Sequence, residues 1–424
     1  MSWRLAERLG WREPLAFAAA HAQGDCALLY SSLRDAHSGQ FSYLFAQPLQ
    51  TIEGSDWAEI PGTAPNDSLP QWVGFLGYEL GASEAKPASS PITFPDFRFT
   101  RYGQLWRFDH AQQHIDYFIA GQGSTPENTF LPVPSNYTPP KILSLESNFT
   151  RASYEAAVTR TVEAILAGDF YQANLTRKFF GKFETMPDPW VLFERLCTAS
   201  PAPYSAFIRH GSQSILSSSP ECFLSADAHG KIITRPIKGS APRRADVVAD
   251  DEIRKLLATS EKNHAENLMI VDLMRNDLSR VCEPGSVAVR EQSGLYSYAT
   301  IHHLISTIVG QKRPEVSVVE VLRACFPPGS MTGAPKIAAM RWCSEQERIA
   351  RGVYSGAIGW LSHNACDFSV VIRTLLIDDN RFEFQVGGGI VADSTPEDEW
   401  RETLAKARGI LAALGLDEAT IARL

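Results

Sequence analysis

The chain has 424 residues, 44% of them hydrophobic and 21% charged, with no low-complexity block. This suits a globular enzyme of one large domain or two closely packed ones. A formal charge of −8 with no basic run argues against non-specific nucleic-acid binding, and the lack of a run of about twenty apolar residues argues against a membrane-spanning helix. An anionic substrate stays open, because a local cation can invert the field inside a cleft. Cys26, Cys197, Cys222, Cys282, Cys325, Cys343 and Cys366 form no CxxC pair or Cys/His cluster. They read as buried reduced thiols, and with no apolar segment behind Met1 the expected location is cytoplasmic.

Residues 1–120 read as short strands broken by turns, for example 26–30 and 72–78. Residues 121–149 begin rich in proline, serine and threonine and read as a linker, with the main domain expected over 150–424. A helix follows: Thr150 caps it, Tyr154, Val158, Val162, Ile165 and Leu166 form its apolar stripe, and Gly168 ends it. Residues 214–224 and 231–237 read as strands and 251–281 as mainly helical. The loop 326–336 opens a helix over 337–347. Three strands, 352–361, 368–377 and 381–386, are joined by the tight turns 362–364 and 378–380. Such adjacent strands point to antiparallel pairing and an α+β class, and no GxGxxG or P-loop lysine motif occurs.

Several stretches carry chemistry. Lys238 lies between Pro236 and Gly239, two residues that fix backbone direction. It is either a nucleophilic amine or an ordinary solvated turn lysine. Gly387, Gly388 and Gly389 let backbone amides approach an anion. Thr395 and Pro396 then start a helix on which Glu399, Glu402 and Lys406 share one face, a site or equally a salt-bridged helix start. Glu266 lies in an apolar run; with Glu402 it makes an oxygen set suited to Mg²⁺, or it pairs with Arg275 or Arg280. Thr332 can donate from the 326–336 loop, and Arg373, inside an apolar strand, needs a carboxylate to hold. His303 and Glu221 are proton handlers or satisfied structural groups.

These stretches together resemble the chorismate-utilising enzymes, the family typified by anthranilate synthase component I. The resemblance covers about residues 150–406. It rests on Ser218-Ser219-Pro220-Glu221, on Ala265-Glu266-Asn267-Leu268-Met269-Ile270-Val271-Asp272-Leu273 continuing to Asp277, and on 326–336, Ile372-Arg373-Thr374 and 387–406. It implies two face-packed antiparallel β-sheets flanked by helices. It implies Mg²⁺ on Glu266 and Glu402, with Glu399 beside them, gripping the ring carboxylate of chorismate. Arg373, Lys406 and the amides of Gly387 to Gly389 would hold carboxylates, Thr332 and His303 would line the ring, and Glu221 would protonate the departing 4-hydroxyl.

Two positions choose among family members. Gln172 falls where the water-using enzymes carry a lysine base, which implies ammonia as nucleophile. Lys238, in Pro236-Ile237-Lys238-Gly239, falls where anthranilate synthases carry a small residue. The motif is similar to that of the branch forming 4-amino-4-deoxychorismate, the precursor of para-aminobenzoate and folate. There the lysine is thought to attack C2 and ammonia then to displace it by attack at C4. The chain shows no glutaminase elements, so a separate glutamine amidotransferase is the implied ammonia source. The alternatives are an anthranilate synthase component I, aminating C2 with pyruvate release, and a non-catalytic scaffold, against which the intact residue set argues. Trp360 stands where a tyrosine is usual in the substrate-binding set, and Asn263 replaces a usual acid. Segments around Ser31, Phe41, Pro203, Tyr204 and Ser205 resemble those that bind tryptophan in some relatives, which implies a structural or vestigial tryptophan pocket; Ser38 stands where one such relative has a tyrosine.

Overall fold

The computed structural model describes residues 2–33, 39–62, 69–81, 90–121, 138–298 and 301–424. Every strand pairing among them is antiparallel. One run of strands goes, in spatial order, Trp3–Gly10, His114–Ala120, Phe97–Asp109, Phe41–Gly54, Cys26–Tyr30, Tyr204–His210, Gln213–Ser219, Thr374–Asp378, Arg381–Ile390, Gln172–Phe183 and Ile142–Ser147. A second run goes Trp72–Leu76, Ala357–Leu361, Cys366–Val370, Cys222–Ala226, Lys231–Arg235 and Ile301–Gln311. The last of these also pairs with Ile237–Pro242 and, on its other edge, with Ala288–Ser297. The long strand Phe97–Asp109 joins the two runs, because its first residues pair with Trp72–Leu76 and its last with His114–Ala120.

The two runs pack face to face through an apolar layer that includes Phe45, Leu105, Ile208 and Ile215 from one and Phe75 and Ile358 from the other. This is the two-sheet α+β architecture expected. Helices cover the outer faces: Pro189–Ala199 and Pro396–Leu414 on the first, Glu261–Ser279 and Val318–Cys325 on the second. The Pro396–Leu414 helix buries Trp400, Thr403, Ala407, Ile410, Leu411 and Leu414 along one stripe. Burial contributes about 1.5–3 kcal/mol for each large apolar side chain, so packing holds this helix in place. Among the described residues no helix is long and apolar enough to cross a membrane.

The first 120 residues are interleaved with the rest: Cys26–Tyr30 pairs with Tyr204–His210, and Trp72–Leu76 with Ala357–Leu361. Residues 122–137 of the expected linker lie outside the described residues, and Ile142–Ser147 within it forms an edge strand on Gln172–Phe183. The local signals behave as read. Thr150 accepts from the Ser153 amide, Gly168 ends that helix at φ 90°, and Thr395 accepts from the Asp398 amide ahead of Pro396. The expected strand 368–377 differs, because Arg373 at φ 51° breaks it into Cys366–Val370 and Thr374–Asp378. Likewise 251–281 is two helices, the second capped by Ser260, whose hydroxyl accepts from the Asn263 amide.

Candidate active site

The cleft begins at a bulge. The register of Ile237–Pro242 against Ile301–Gln311 slips between Ile237 and Ser240, and Gly239 takes φ +88° there, a conformation that side chains resist. A Cβ on Gly239 would also meet Asn263 Cγ at 3.0 Å, so the bulge packs against the start of the Glu261–Ser279 helix. Asn263 therefore supports the bulge. Lys238 points inward from it, and its Nζ donates to the Ser330 carbonyl at 3.5 Å. A Cβ on Gly389 would lie 3.2 Å from that Nζ and 2.3 Å from Gln172 Nε2. Lysine, glutamine and glycine triplet thus meet at one point, and the buried Gln172 Oε1 has no partner among the described residues.

Glu221 follows Pro220 at the sharp break between Gln213–Ser219 and Cys222–Ala226. Its carboxyl is buried, and burial pushes its pKa up to about 7, with Lys238 among the groups pulling the other way. It can hold a proton near neutrality.

Across the cleft, Lys406 Nζ lies 2.6 Å from Glu402 Oε1 and donates to the Gly387 carbonyl at 2.7 Å. Lys406 is the main reason that the Glu402 carboxyl sits below its usual range. Glu399 lies under Gly388: Ser394 Oγ donates to its Oε1 at 2.7 Å, and its buried Oε2 has no partner among the described residues. Burial, then the Glu402 charge, pushes Glu399 up to about 7. Burial also raises Glu266, opposed by Lys238 and Lys262 and reinforced by Glu402. The alternative reading, an ion pair of Glu266 with Arg275 or Arg280, has no such pair among the described residues, where Arg275 pairs with Asp272 and Arg280 with Asp277.

Among the described residues no three acidic, histidine or cysteine side chains form a ready metal cluster. Mg²⁺, however, uses one or two carboxylates and completes its shell with water and substrate oxygens. The neighbouring Glu266 and Glu402, with the orphaned Oε2 of Glu399 beside them, fit that requirement in donor type and charge.

The opposite wall carries Arg373 and His303. Arg373 pairs with no carboxylate among the described residues; its Nη1 donates to Ser200 Oγ at 3.4 Å, which leaves its charge available to a ligand. His303 is buried with Nδ1 2.6 Å from Ser240 Oγ and Nε2 unpartnered among the described residues. Burial, then the Arg373 charge, pushes His303 down to about 3, so the ring is neutral.

Two further members of the expected substrate set have settings of their own. Thr332 is fully buried and donates its hydroxyl to the Gly329 carbonyl at 3.1 Å, so it stiffens its own loop; its carbonyl accepts from the Asn174 amide at 2.8 Å. Trp360 leaves the cleft altogether. Strand alternation puts it with Ile358 on the face between the sheets, 6.4 Å from the Tyr43 ring. There it lines a second pocket together with Ser31, Phe41, Pro203, Tyr204 and Ser205, the five residues expected to form a tryptophan site. Ser38 lies outside the described residues. Asp367 also lines this pocket, with its carboxyl pushed up to about 7 by burial. Sequence reasoning missed it, as it missed Ser240, Ser330 and Lys262; an acid alternating with apolar residues in Cys366–Val370 was the available sign.

A family model described as chorismate binding enzyme matches residues 45–412. The chain is 35% identical over 408 residues to aminodeoxychorismate synthase of Streptomyces griseus, covering 90% of this chain but 56% of that protein. It is 40% identical over 347 residues to aminodeoxychorismate synthase component 1 of Salmonella typhimurium, covering 80% of this chain and 75% of that one. Among solved structures, anthranilate synthase component I from Streptococcus pneumoniae superposes with a TM-score of 0.76 at 27% identity, covering 89% of this chain and 95% of that chain.

Proposed function

The chain belongs to the chorismate binding enzyme family, and we propose that it aminates chorismate at C4 to give 4-amino-4-deoxychorismate, on the route to para-aminobenzoate and folate. The observation that carries this reading is the meeting of Lys238 Nζ and Gln172 Nε2 beside Gly389, with Lys238 also facing Glu221. Two relatives named aminodeoxychorismate synthase support it. Amination at C2 with pyruvate release is not favoured, because a lysine occupies the position that the C2-aminating branch fills with a small residue.

The Lys238 amine in its neutral form attacks C2. The two ring double bonds shift, and the C4–O bond breaks as Glu221 gives its proton to the departing hydroxyl, which leaves as water. Ammonia then forms a bond at C4; the double bonds shift back and the electron pair of the breaking C2–N bond returns to Lys238. Gln172, whose amide cannot deprotonate water, leaves ammonia as the effective nucleophile. Arg373, Lys406 and amides of the glycine triplet hold the carboxylates. Glu266 and Glu402 would hold Mg²⁺, with Glu399 beside them, and a bound Mg²⁺ supplies a positive centre for the ring carboxylate. A partner glutamine amidotransferase supplies the ammonia, in the cytoplasm. The second pocket, with Trp360 in its wall, holds tryptophan away from the chemistry.

The test is Lys238→Ala with chorismate, Mg²⁺ and ammonium, reading products by chromatography, together with mass spectrometry of the wild-type chain for a chorismate-derived adduct on Lys238. Aminodeoxychorismate formation is expected to fall at least a hundredfold. An unchanged rate and product would sink the covalent route; anthranilate from the wild-type chain would sink the C4 assignment.

A further inference from the structure

His303 and its neighbour His302 alternate across Ile301–Gln311 and have opposite fates. His302 turns away from the cleft, its Nδ1 2.7 Å from Ser297 Oγ and its Nε2 3.2 Å from Asp250. His303 turns toward the cleft with one nitrogen on Ser240 and the other without a partner among the described residues. A neutral imidazole carries one proton, and the partner of one nitrogen decides which nitrogen keeps it. Ser240 is set for that task by the bulge: beyond the slip at Lys238 and Gly239 it resumes the ladder directly opposite His303. The same three-residue turn therefore aims the reactive lysine and brings a hydroxyl to the histidine.

We propose that Ser240 is a positioning residue: its hydroxyl donates to His303 Nδ1, which fixes the proton on Nε2 and presents an uncharged N–H donor to the anionic substrate. The direction follows from what faces Nε2. A bare Nε2 lone pair would be an acceptor facing a substrate rich in acceptor oxygens, and the adjacent cation, Arg373, makes no hydrogen bond to it among the described residues. With the proton on Nε2 the orphaned atom gains a partner when substrate binds. An uncharged donor also adds a directed contact without another cation in a site that already holds Lys238, Arg373 and Lys406. The substrate class comes from the proposed function, on which this inference rests for its ligand but not for its tautomer.

The experiment reads the tautomer first. Long-range ¹H–¹⁵N NMR of the full, ¹⁵N-histidine-labelled chain, with His303→Gln to assign the ring, is expected to show His303 protonated at Nε2 with Nδ1 as acceptor. Ser240→Ala should shift that pattern toward the other tautomer, and Ser240→Thr, which keeps the hydroxyl, should restore it. With chorismate and ammonium, kcat/KM should fall about tenfold in Ser240→Ala, the effect of one neutral hydrogen bond, and recover in Ser240→Thr. Protonation at Nδ1 in the wild-type chain overturns the proposal, as does a tautomer indifferent to Ser240→Ala. Should Ser240→Ala fail to fold, the wild-type and Ser240→Thr spectra still decide. Absence of aminating activity with the expected tautomer pattern would count against the proposed function alone.

Discussion

The glycine triplet offers a sharp test, because its three members are glycine for three different reasons. A Cβ on Gly387 would lie 2.4 Å from the Leu175 carbonyl oxygen and 2.8 Å from Thr176 Cα, both backbone of the neighbouring strand. Those atoms cannot retreat without opening the ladder, so Gly387→Ala is expected to cost about 1–3 kcal/mol of stability. A Cβ on Gly388 would meet Glu399 Oε2 at 2.5 Å, a buried oxygen held through Ser394. Gly389 differs again: its Cβ would meet only side-chain ends, Gln172 Nε2 at 2.3 Å and Lys238 Nζ at 3.2 Å. Those ends can swing aside by about an ångström, so Gly389→Ala should leave stability within about 1 kcal/mol of wild type. The swing moves Lys238, the proposed nucleophile, and Gln172 together. Misplacement on that scale costs about a hundredfold in rate, or about 2.7 kcal/mol of barrier. Urea unfolding and chromatographic assay of aminodeoxychorismate should therefore dissociate the two variants, Gly387→Ala losing stability and Gly389→Ala losing kcat/KM. Activity of Gly389→Ala within threefold of wild type, or equal destabilisation of both, would refute this account of the cleft.

Three further outcomes follow from the same geometry. Glu221 holds its proton to about pH 7 when folded but releases it near its ordinary value of 4.5 when unfolded. Stability that it contributes below pH 4.5 is thus lost as pH rises through 7, up to about 3 kcal/mol. Glu221→Gln should flatten that decline in urea titrations, and it should lower kcat about a hundredfold or more while removing the loss of wild-type rate above pH 7. Chelation of Mg²⁺ should abolish turnover, and Glu402→Gln should raise the Mg²⁺ concentration for half-maximal rate at least tenfold; a chelator-insensitive rate would refute the metal assignment. Calorimetric titration with tryptophan should give heat in the wild-type chain and none in Asp367→Asn, whereas no heat in either would remove the tryptophan reading of the second pocket.

What could be read from the chain was local. Thr150, Gly168, Thr395 and Pro396 cap or end helices by contacts within a few residues, and those helices lie where the signals put them. Alternating apolar runs likewise announced antiparallel strands. The break at Arg373 was not legible, since a non-glycine residue at φ 51° carries no turn signature and is held there by its surroundings. The fate of Trp360 depended on which face of its strand meets the second sheet, a choice made by its pairing opposite Val73 and Asp367. Thr332 was legible as a loop residue but not as one whose hydroxyl is already committed to Gly329. Ser240 and Asp367 were missed because each acquires meaning only from a partner across a strand or a pocket. Glu266 and Glu402 sit on helices far apart in sequence; the ligand chemistry of Mg²⁺ offered the pairing beside a salt-bridge alternative, and the family resemblance, not spacing, chose between them.

The N-terminal strands reach this cleft through a buried charge. The carboxylate of Glu79 accepts from the amides of Arg351 and Gly352 at 2.7 and 2.9 Å. The Arg351 guanidinium, fully buried and 4.5 Å above the Tyr78 ring, donates to the carbonyls of Met331 at 2.7 Å and Asn174 at 2.6 Å and pairs with Glu347 at 2.7 Å. Glu347 in turn accepts from the Thr176 amide at 2.9 Å. Buried ions are tolerated only when their hydrogen bonds are met, and removal of one partner from such a pair costs about 3–5 kcal/mol. A charge with so many fixed partners has few alternative arrangements. Met331 follows Ser330, whose carbonyl receives Lys238, and Asn174 lies on the strand that presents Gln172. The carbonyl facing Lys238 and the strand bearing Gln172 are therefore tied to one guanidinium, whose own backbone is held from the N-terminal region. Pre-organisation of that kind would lower the cost of aligning lysine, substrate and ammonia in the proposed reaction. It also ties the first 120 residues to the placement of the groups to which the proposed reaction is assigned.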